Sequence, residues 1–401
     1  MGLSVYIHVP YCLKRCPYCD FNTYAVTRVP EDEYVAALLR EIESAAKRPP
    51  WNGRRIETVF FGGGTPSLLT PDSVGRILER LDEMFGIEVD AEVSLEANPG
   101  SLEGSAPERL AGLRRAGVNR LSIGAQSFDD RHLSTLGRIH QSADTIATVA
   151  AARSAGIENL SLDLIFAVPG QSIDDWKRDL ERVIELSPEH ISAYGLTYEE
   201  GTPIQRDLDA GKIERVREET EAAMYETCIS MLAGAGYRHY EISNFARPGY
   251  QCRHNMTYWS WEDYLGLGAG AHGFYRCTGA SPSPQPCSEA SGEDRPWAVR
   301  YANVRSPGAY MAAAPGRTVE HAETVSRETA MSEFILLGLR LIDGLPLARF
   351  EHVFGTRLDC RSASYRFLAR SGFLHREDGH LRLTRRGLLL ADSVIARLAA
   401  G

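Results

Sequence analysis

From residue 3 to about 197 the chain alternates between short β-rich runs and longer stretches with helical spacing of apolar residues. The runs SVYIHV (4–9), TVFFGG (58–63), EVSLEA (92–97), RLSIGA (120–125), LSLDLIF (160–166) and HISAYGL (190–196) predict six strands. Helices are predicted between them, over 31–47, 71–85, 107–116, 142–155 and 172–186. Three of these open on an acidic or proline-bearing first turn: Pro71-Asp72, Pro107-Glu108 and Asp174-Asp175. Three are followed by a glycine in the C-cap region, Gly86, Gly117 and Gly156. Strand–helix alternation implies a parallel sheet. Six units are short of the eight that close a full barrel, so the expected fold class is α/β, with a partial (β/α)6 barrel. In such folds chemistry sits at the carboxyl ends of the strands.

A long helix is predicted over 216–235, after which the rhythm fades. Residues 276–297 are rich in Ser, Pro and Gly and predict a flexible surface loop. From about 325 the pattern is helical again, and 361–398 reads as helix, hairpin (FLHREDGHLRL), helix. The expected organisation is a barrel over 1–200, an extension over 201–324, and a smaller α+β, winged-helix-like domain over 325–401.

Hydrophobic residues at 43% and charged residues at 24% of 401 positions are ordinary for a soluble globular chain. The net charge of −9 argues against a nucleic-acid coat or a broad membrane-binding surface. Residues 340–401 hold 11 Arg against 6 Asp and Glu. That excess is read as a solvated structural cap, and no nucleic-acid partner is expected. No apolar run approaches the ~20 residues of a membrane span. The start, MGLSVYIHVPYC, lacks the basic-then-apolar pattern of a signal peptide, and Tyr6 stands where myristoylation wants Ser or Thr. A cytoplasmic location is expected.

Eight cysteines are too sparse for a disulfide scaffold, but three crowd together: Cys12-Leu-Lys-Arg-Cys16-Pro-Tyr-Cys19. This C-x3-C-x2-C array follows a predicted strand. Three thiolates on one loop can hold three irons of a [4Fe–4S] cube, leaving the fourth open for reaction. Lys14 and Arg15 can offset the cluster's charge and Tyr18 can cover it. A zinc knuckle completed by His8, or three free thiols, are the bland alternatives. FFGGGTPS (60–67) puts three glycines after the second strand, where a backbone can approach a ligand closely. No Gly-Lys-Ser/Thr follows, so it is not a phosphate loop. Glu96, Arg120, Ser122, Gly124, Gln126, Arg138 and Asp163 bring further polar groups to successive strand ends.

C-x3-C-x2-C at the first strand end resembles the radical S-adenosylmethionine (SAM) superfamily. The resemblance implies a [4Fe–4S] cluster on Cys12, Cys16 and Cys19, SAM bound at its open iron, and reductive cleavage of SAM to methionine and a 5′-deoxyadenosyl radical. The motif order over essentially the whole chain is similar to the oxygen-independent coproporphyrinogen III oxidase group. By that likeness SAM contacts are expected at Tyr6, Tyr18, Gly63, Gly64, Thr65, Glu96, Gln126, Arg138, Asp163 and Thr197. The oxidases carry a fourth Cys two residues after the third. Here Cys19-Asp20-Phe21-Asn22 places Phe21 there. CDFN resembles the haem-chaperone (HemW) branch, for which the cluster and SAM are expected to regulate or drive haem transfer.

A second motif agrees: His254-Asn255-Met256-Thr257-Tyr258-Trp259, or H-N-x-x-Y-W, which that branch links to haem. From the residues alone two roles are open to His254, an iron ligand or a hydrogen-bonded core residue. Tyr258, Trp259 and Trp261 offer flat apolar area for a porphyrin. The resemblance implies haem b, haem-accepting respiratory proteins as recipients, an electron donor such as flavodoxin or ferredoxin, a homodimer and peripheral membrane contact. Rival readings are propionate decarboxylation of coproporphyrinogen, a radical SAM methyltransferase or cyclopropanase, and a nucleic-acid-binding regulator. Gly268-Ala-Gly270-Ala-His-Gly273 fits G-x-G-x-x-G but is rejected as a dinucleotide site, having no clear strand before it and a poor helix start after it. His272 within it is kept as a site candidate. Cys252 is expected to be a buried spectator thiol.

Overall fold

The computed structural model describes residues 2–102, 106–277, 296–360 and 362–399. The six predicted strands are present: β1 Leu3–Val9, β2 Ile56–Gly63, β3 Ile87–Ala97, β4 Arg120–Gln126, β5 Asn159–Phe166 and β6 His190–Gly195. They lie side by side in chain order, all parallel. The helices between them are α1 Glu31–Ala46, α2 Pro71–Phe85, α3 Ala106–Ala116, α4 Asp130–Thr135, α5 Ser142–Ser154 and α6 Ile173–Leu186. Their boundaries follow local chemistry. Thr70 caps α2, its hydroxyl accepting from the Ser73 N–H, with Pro71 in the first turn. Ser172 and Asp175 form a capping box on α6, which buries Trp176, Leu180 and Val183 on one face.

The strands alternate with period two. Leu3, Val5, Ile7 and Val9 of β1 face the helices and are fully buried. The other face is polar and nearly as buried: Ser4 and His8 of β1, Thr58 of β2, Glu92 and Ser94 of β3, Arg120 and Ser122 of β4, Ser161 of β5, His190 and Ser192 of β6. A polar inner wall inside a barrel shields these groups from bulk water, so they must find partners in one another or in a ligand.

Where the β/α rhythm fades, the sheet continues. After α7 Pro203–Asp209 and α8 Glu218–Gly234 come β7 Arg238–Glu241, β8 Asn244–Ala246, α9 Arg253–Trp259, β9 Tyr264–Leu267, β10 His272–Arg276, β11 Ala298–Asn303 and β12 Val319–Val325. β9 pairs parallel with β1, and β10, β11 and β12 add antiparallel beyond it. One 12-stranded sheet results, in the order β12-β11-β10-β9-β1-β2-β3-β4-β5-β6-β8-β7. Glycines hid β9 and β10 from the sequence pattern. At Gly273 a Cβ would come within 2.1 Å of the Tyr301 ring, which covers the bare backbone. The G-x-G-x-x-G segment therefore does follow a strand, correcting the expectation. It is rejected as a nucleotide loop for a different reason: it is the turn into another strand, not into a helix.

The C-terminal region has its own core of Phe334, Phe350, Phe354, Leu381 and Val394. Helices Arg327–Gly338, Leu347–Phe354, Ala363–Arg370 and Ala391–Ala399 surround a three-stranded sheet of Leu345–Pro346, His380–Leu383 and Leu374–Glu377. The predicted hairpin turns at Asp378-Gly379, both at positive φ, as a two-residue Asp-Gly turn requires. Among the described residues, no helix is long and apolar enough to cross a membrane. The predicted loop 276–297 lies outside the described residues over 278–295, and Cys287 with it.

Candidate functional site

The three cysteines sit on the loop leaving β1, and each thiol meets a polar neighbour. Thr65 Oγ1 donates to Cys12 Sγ at 3.4 Å, and an Arg138 guanidinium N–H donates to Cys16 Sγ at 3.6 Å. The Thr23 hydroxyl lies 3.8 Å from Cys19 Sγ. Arg138 also donates to the Gly124 carbonyl at 3.1 Å, and Tyr18 lies against Arg138 and Cys16. Donors and a guanidinium aimed at sulfur suit a thiolate-held anionic cluster.

The glycine run after β2 clamps that loop. Gly64 N–H donates to the Val9 carbonyl at 2.8 Å and Thr65 N–H to the Tyr11 carbonyl at 2.8 Å. A Cβ on Gly64 would lie 2.6 Å from the Tyr11 oxygen, and Gly63 has φ +112°, so neither position admits a side chain without strain.

A cavity of about 420 Å³ opens beside the cysteines. Of the expected SAM contacts, Tyr18, Gly63, Gly64, Thr65, Glu96, Gln126, Arg138, Asp163 and Thr197 line it. Tyr6 lines the two neighbouring cavities instead. Glu96 accepts from the Gly63 N–H at 3.1 Å. Burial, then the Asp163 carboxylate, push its carboxyl up to about 7. Asp163 is raised too, by burial, against hydroxyl donors that include Ser122 at 2.9 Å and Ser161 at 3.1 Å. Arg120 faces both carboxyls and only partly offsets their burial, so the pair suits a ligand that brings a further cation. Gln126 sits at φ +66°, a left-handed backbone unusual outside glycine and typical of functional sites.

A second cavity, about 610 Å³, lies against β10–β12 and shares Asp20, Phe21, Gly63 and Glu96 with the first. Tyr6, Tyr258, Tyr264, His8, His272, His321 and Arg305 also line it. Phe21, 65% exposed, stands where the two meet. Its neighbour Asn22, passed over in the sequence, pins the cysteine loop to the sheet extension by donating to the carbonyls of Ala269 at 3.2 Å and Arg305 at 3.0 Å. The Asn22 carbonyl accepts from His8 Nε2 at 3.0 Å, which leaves His8 Nδ1 to accept from the Tyr6 hydroxyl at 3.0 Å.

The H-N-x-x-Y-W motif forms α9, and the structure corrects part of its expected role. His254 is fully buried, with Thr58 Oγ1 2.8 Å from Nδ1 and the Tyr258 hydroxyl 2.8 Å from Nε2. Burial, then nearby Arg120, hold its imidazole down at about 3, so it is neutral and doubly hydrogen-bonded. An iron ligand at His254 would have to break one of these bonds. His254, Asn255 and Tyr258 line a small polar cavity of about 210 Å³ with Arg120, Asp163 and His190. Trp259 lines none of these three cavities; its ring lies under the Arg340 guanidinium, 4.5 Å away. Trp261 is buried in the C-terminal core against Phe274 and Phe334 and offers no porphyrin surface. Cys252 is buried as expected, its thiol pushed up to about 12 by desolvation. Glu92 beneath it accepts from the N–H groups of Arg253 and His254 at 3.0 and 3.1 Å, anchoring the start of α9.

The profile of the Radical SAM superfamily matches residues 6–183, and that of the HemN C-terminal domain matches residues 325–390. The chain is 37% identical over 400 residues to the haem chaperone HemW of Mycobacterium tuberculosis, covering 98% of this chain and 94% of that one. The chain belongs to the HemW family of the radical SAM superfamily. The HemW of Bacillus subtilis is 36% identical over 396 residues, covering 98% of this chain and 97% of that protein. The solved structure of coproporphyrinogen III oxidase (HemN) from Escherichia coli, a radical SAM enzyme, superposes with a TM-score of 0.79. It shares 23% identity and covers 99% of this chain and 90% of that one. That likeness bears out the expected α/β barrel with an added C-terminal domain. Radical SAM membership implies a [4Fe–4S] cluster and SAM, and the thiol donor set and cavity of this HemW-family chain fit both.

Proposed function

We propose that this protein is a haem chaperone: it binds haem b in the cytoplasm and passes it to haem-dependent recipient proteins, with respiratory ones foremost. The observation that carries the reading is the pair of joined cavities, one built from the cysteine loop and one, larger and aromatic-walled, against β10–β12. A volume of about 610 Å³ falls within the range that takes a cofactor-sized ligand. The relatives' HemW names support it over the whole chain length.

In this reading Cys12, Cys16 and Cys19 hold the cluster, and Tyr18 and Arg138 cover and neutralise it. Gly63, Gly64 and Thr65 present backbone to SAM, Glu96 and Asp163 face its cationic part, and Gln126 and Thr197 close the cavity, with Tyr6 behind. The cluster, when bound, supplies the electron that cleaves SAM, delivered by a donor such as flavodoxin or ferredoxin. Phe21 leaves no fourth thiol beside the cluster and places an exposed ring between SAM and cargo. Dimerisation and peripheral membrane contact, where respiratory recipients sit, complete the proposal.

The test is an anaerobic haem titration of the cluster-reconstituted protein, followed by transfer to an apo-cytochrome. Saturation near one haem per chain with transfer is expected. No saturable binding, or conversion of coproporphyrinogen to a vinyl product, sinks the reading.

A further inference from the structure

The larger cavity contains histidines in two conditions. His8 has both ring nitrogens engaged, and His254 behind the wall likewise. His272 and His321 line the cavity, are exposed to it, and have no side-chain hydrogen bond or ion pair among the described residues. They also stand in line. His272 of β10 pairs with Ala302 of β11, and Ala302 pairs with His321 of β12, so all three side chains share one face. Strands in a sheet lie about 4.8 Å apart, which separates the two histidine Cα atoms by roughly 10 Å. Between them Ala302 contributes only a methyl group, leaving a slot flanked by two imidazoles.

The surroundings offer aromatic wall and a guanidinium, alongside the carboxyls of Asp20, Glu96 and Glu320. Tyr6, Tyr258 and Tyr264 supply aromatic wall on one side. Arg305 also lines the cavity, and its guanidinium has no carboxylate within ion-pair distance among the described residues. Partial burial, then Arg305 and Arg300, lower the His272 pKa and keep that imidazole neutral, the form that ligates a metal.

We infer that haem in this cavity is ligated through its iron by the His272–His321 pair, with Arg305 receiving a propionate. The inference rests on the haem-chaperone reading and moves the ligand from the signature motif to the sheet extension. Imidazole ligation of haem iron and bidentate pairing of guanidinium with carboxylate are the chemistries used.

The experiment titrates full-length, cluster-reconstituted protein with ferric haem and reads the Soret band and the iron spin state by electron paramagnetic resonance. Wild type is compared with His272→Ala, His321→Ala, the double variant and His254→Ala, with thermal melts confirming that each is folded. At least a tenfold weaker affinity and a shifted Soret band are expected in the double variant, with the original spectrum restored by added imidazole. His254→Ala is expected to keep the wild-type Soret position. A wild-type spectrum and affinity in the folded double variant overturn the inference while leaving the chaperone reading intact. Absence of saturable haem binding in wild type overturns the chaperone reading, and the inference with it.

Discussion

The two joined cavities are built differently. The cysteine-side cavity draws its residues from the loops and ends of consecutive β/α units: Cys12 to Cys19 after β1, Gly63 to Thr65 after β2, Glu96 at the end of β3, Gln126 at the end of β4. Each sits in a short, dense motif. The second cavity draws on β1, on α9 and on three antiparallel strands, and brings Tyr6 beside Tyr258, His272 and His321. A site assembled from parallel units repeats one local geometry and is readable unit by unit. A site assembled across a sheet edge depends on register, which no short segment encodes by itself.

Replacing Cys16 by Ala tests the comparison most severely. Iron content is expected to fall from about four per chain to near zero, while haem affinity stays within about threefold, since Cys16 lines only the first cavity. Loss of haem binding along with iron would show that the two cavities act as one.

Next in size is Glu41 of α1. Its buried carboxylate accepts from Gly268 N–H at 2.9 Å, Asn303 Nδ2 at 2.7 Å, the Tyr310 hydroxyl at 2.6 Å and the Thr318 hydroxyl at 2.7 Å. It ties the barrel to the extension. Glu41→Leu strands four donors and is expected to cost about 3–4 kcal/mol, on the scale of unsatisfied buried groups. Hydrogen exchange should accelerate at β9–β12 and not at β3–β5. Uniform acceleration would make the sheet a single cooperative unit.

The last effect concerns pH. The Glu96 carboxyl titrates at about 7 in the fold against 4.5 for the free group. Between those values the unfolded chain has lost the proton and the folded chain retains it. Stability therefore falls as pH rises through this window and levels off above 7. Glu96→Gln is expected to remove the dependence and to stabilise the ligand-free protein at pH 8 by at most about 3.5 kcal/mol, given roughly 2.5 pKa units at about 1.4 kcal/mol each. Urea midpoints at pH 5 and 8 measure it, and a slope unchanged by the substitution refutes the assignment.

The strand boundaries of the barrel were legible because each run is flanked by capped helices, as Thr70 and Ser172 illustrate. Its polar interior was legible too, in the alternation of SVYIHV or LSLDLIF, but alternation also describes a strand with one face in water. Only what the tertiary fold packs against that face, such as His190 on Ser161 and Cys252 by Arg120, makes Ser161 and Arg120 buried groups. His254 shows the reverse difficulty. Histidine beside tyrosine and tryptophan fits a haem ligand as well as a core hydrogen bond, and only the fold brings Thr58 and Tyr258 within 2.8 Å of its two ring nitrogens.

By itself, then, the sequence determined the three-cysteine loop, the glycine run and the six β/α units, because thiol spacing, glycine freedom and amphipathic period act within a dozen residues. Tertiary structure alone decided that β9 joins β1, that Trp261 belongs to the C-terminal core, and that His272 and His321 align across Ala302. Those outcomes depend on pairing between segments tens to hundreds of residues apart, where the free energy lies in the contact and not in either segment.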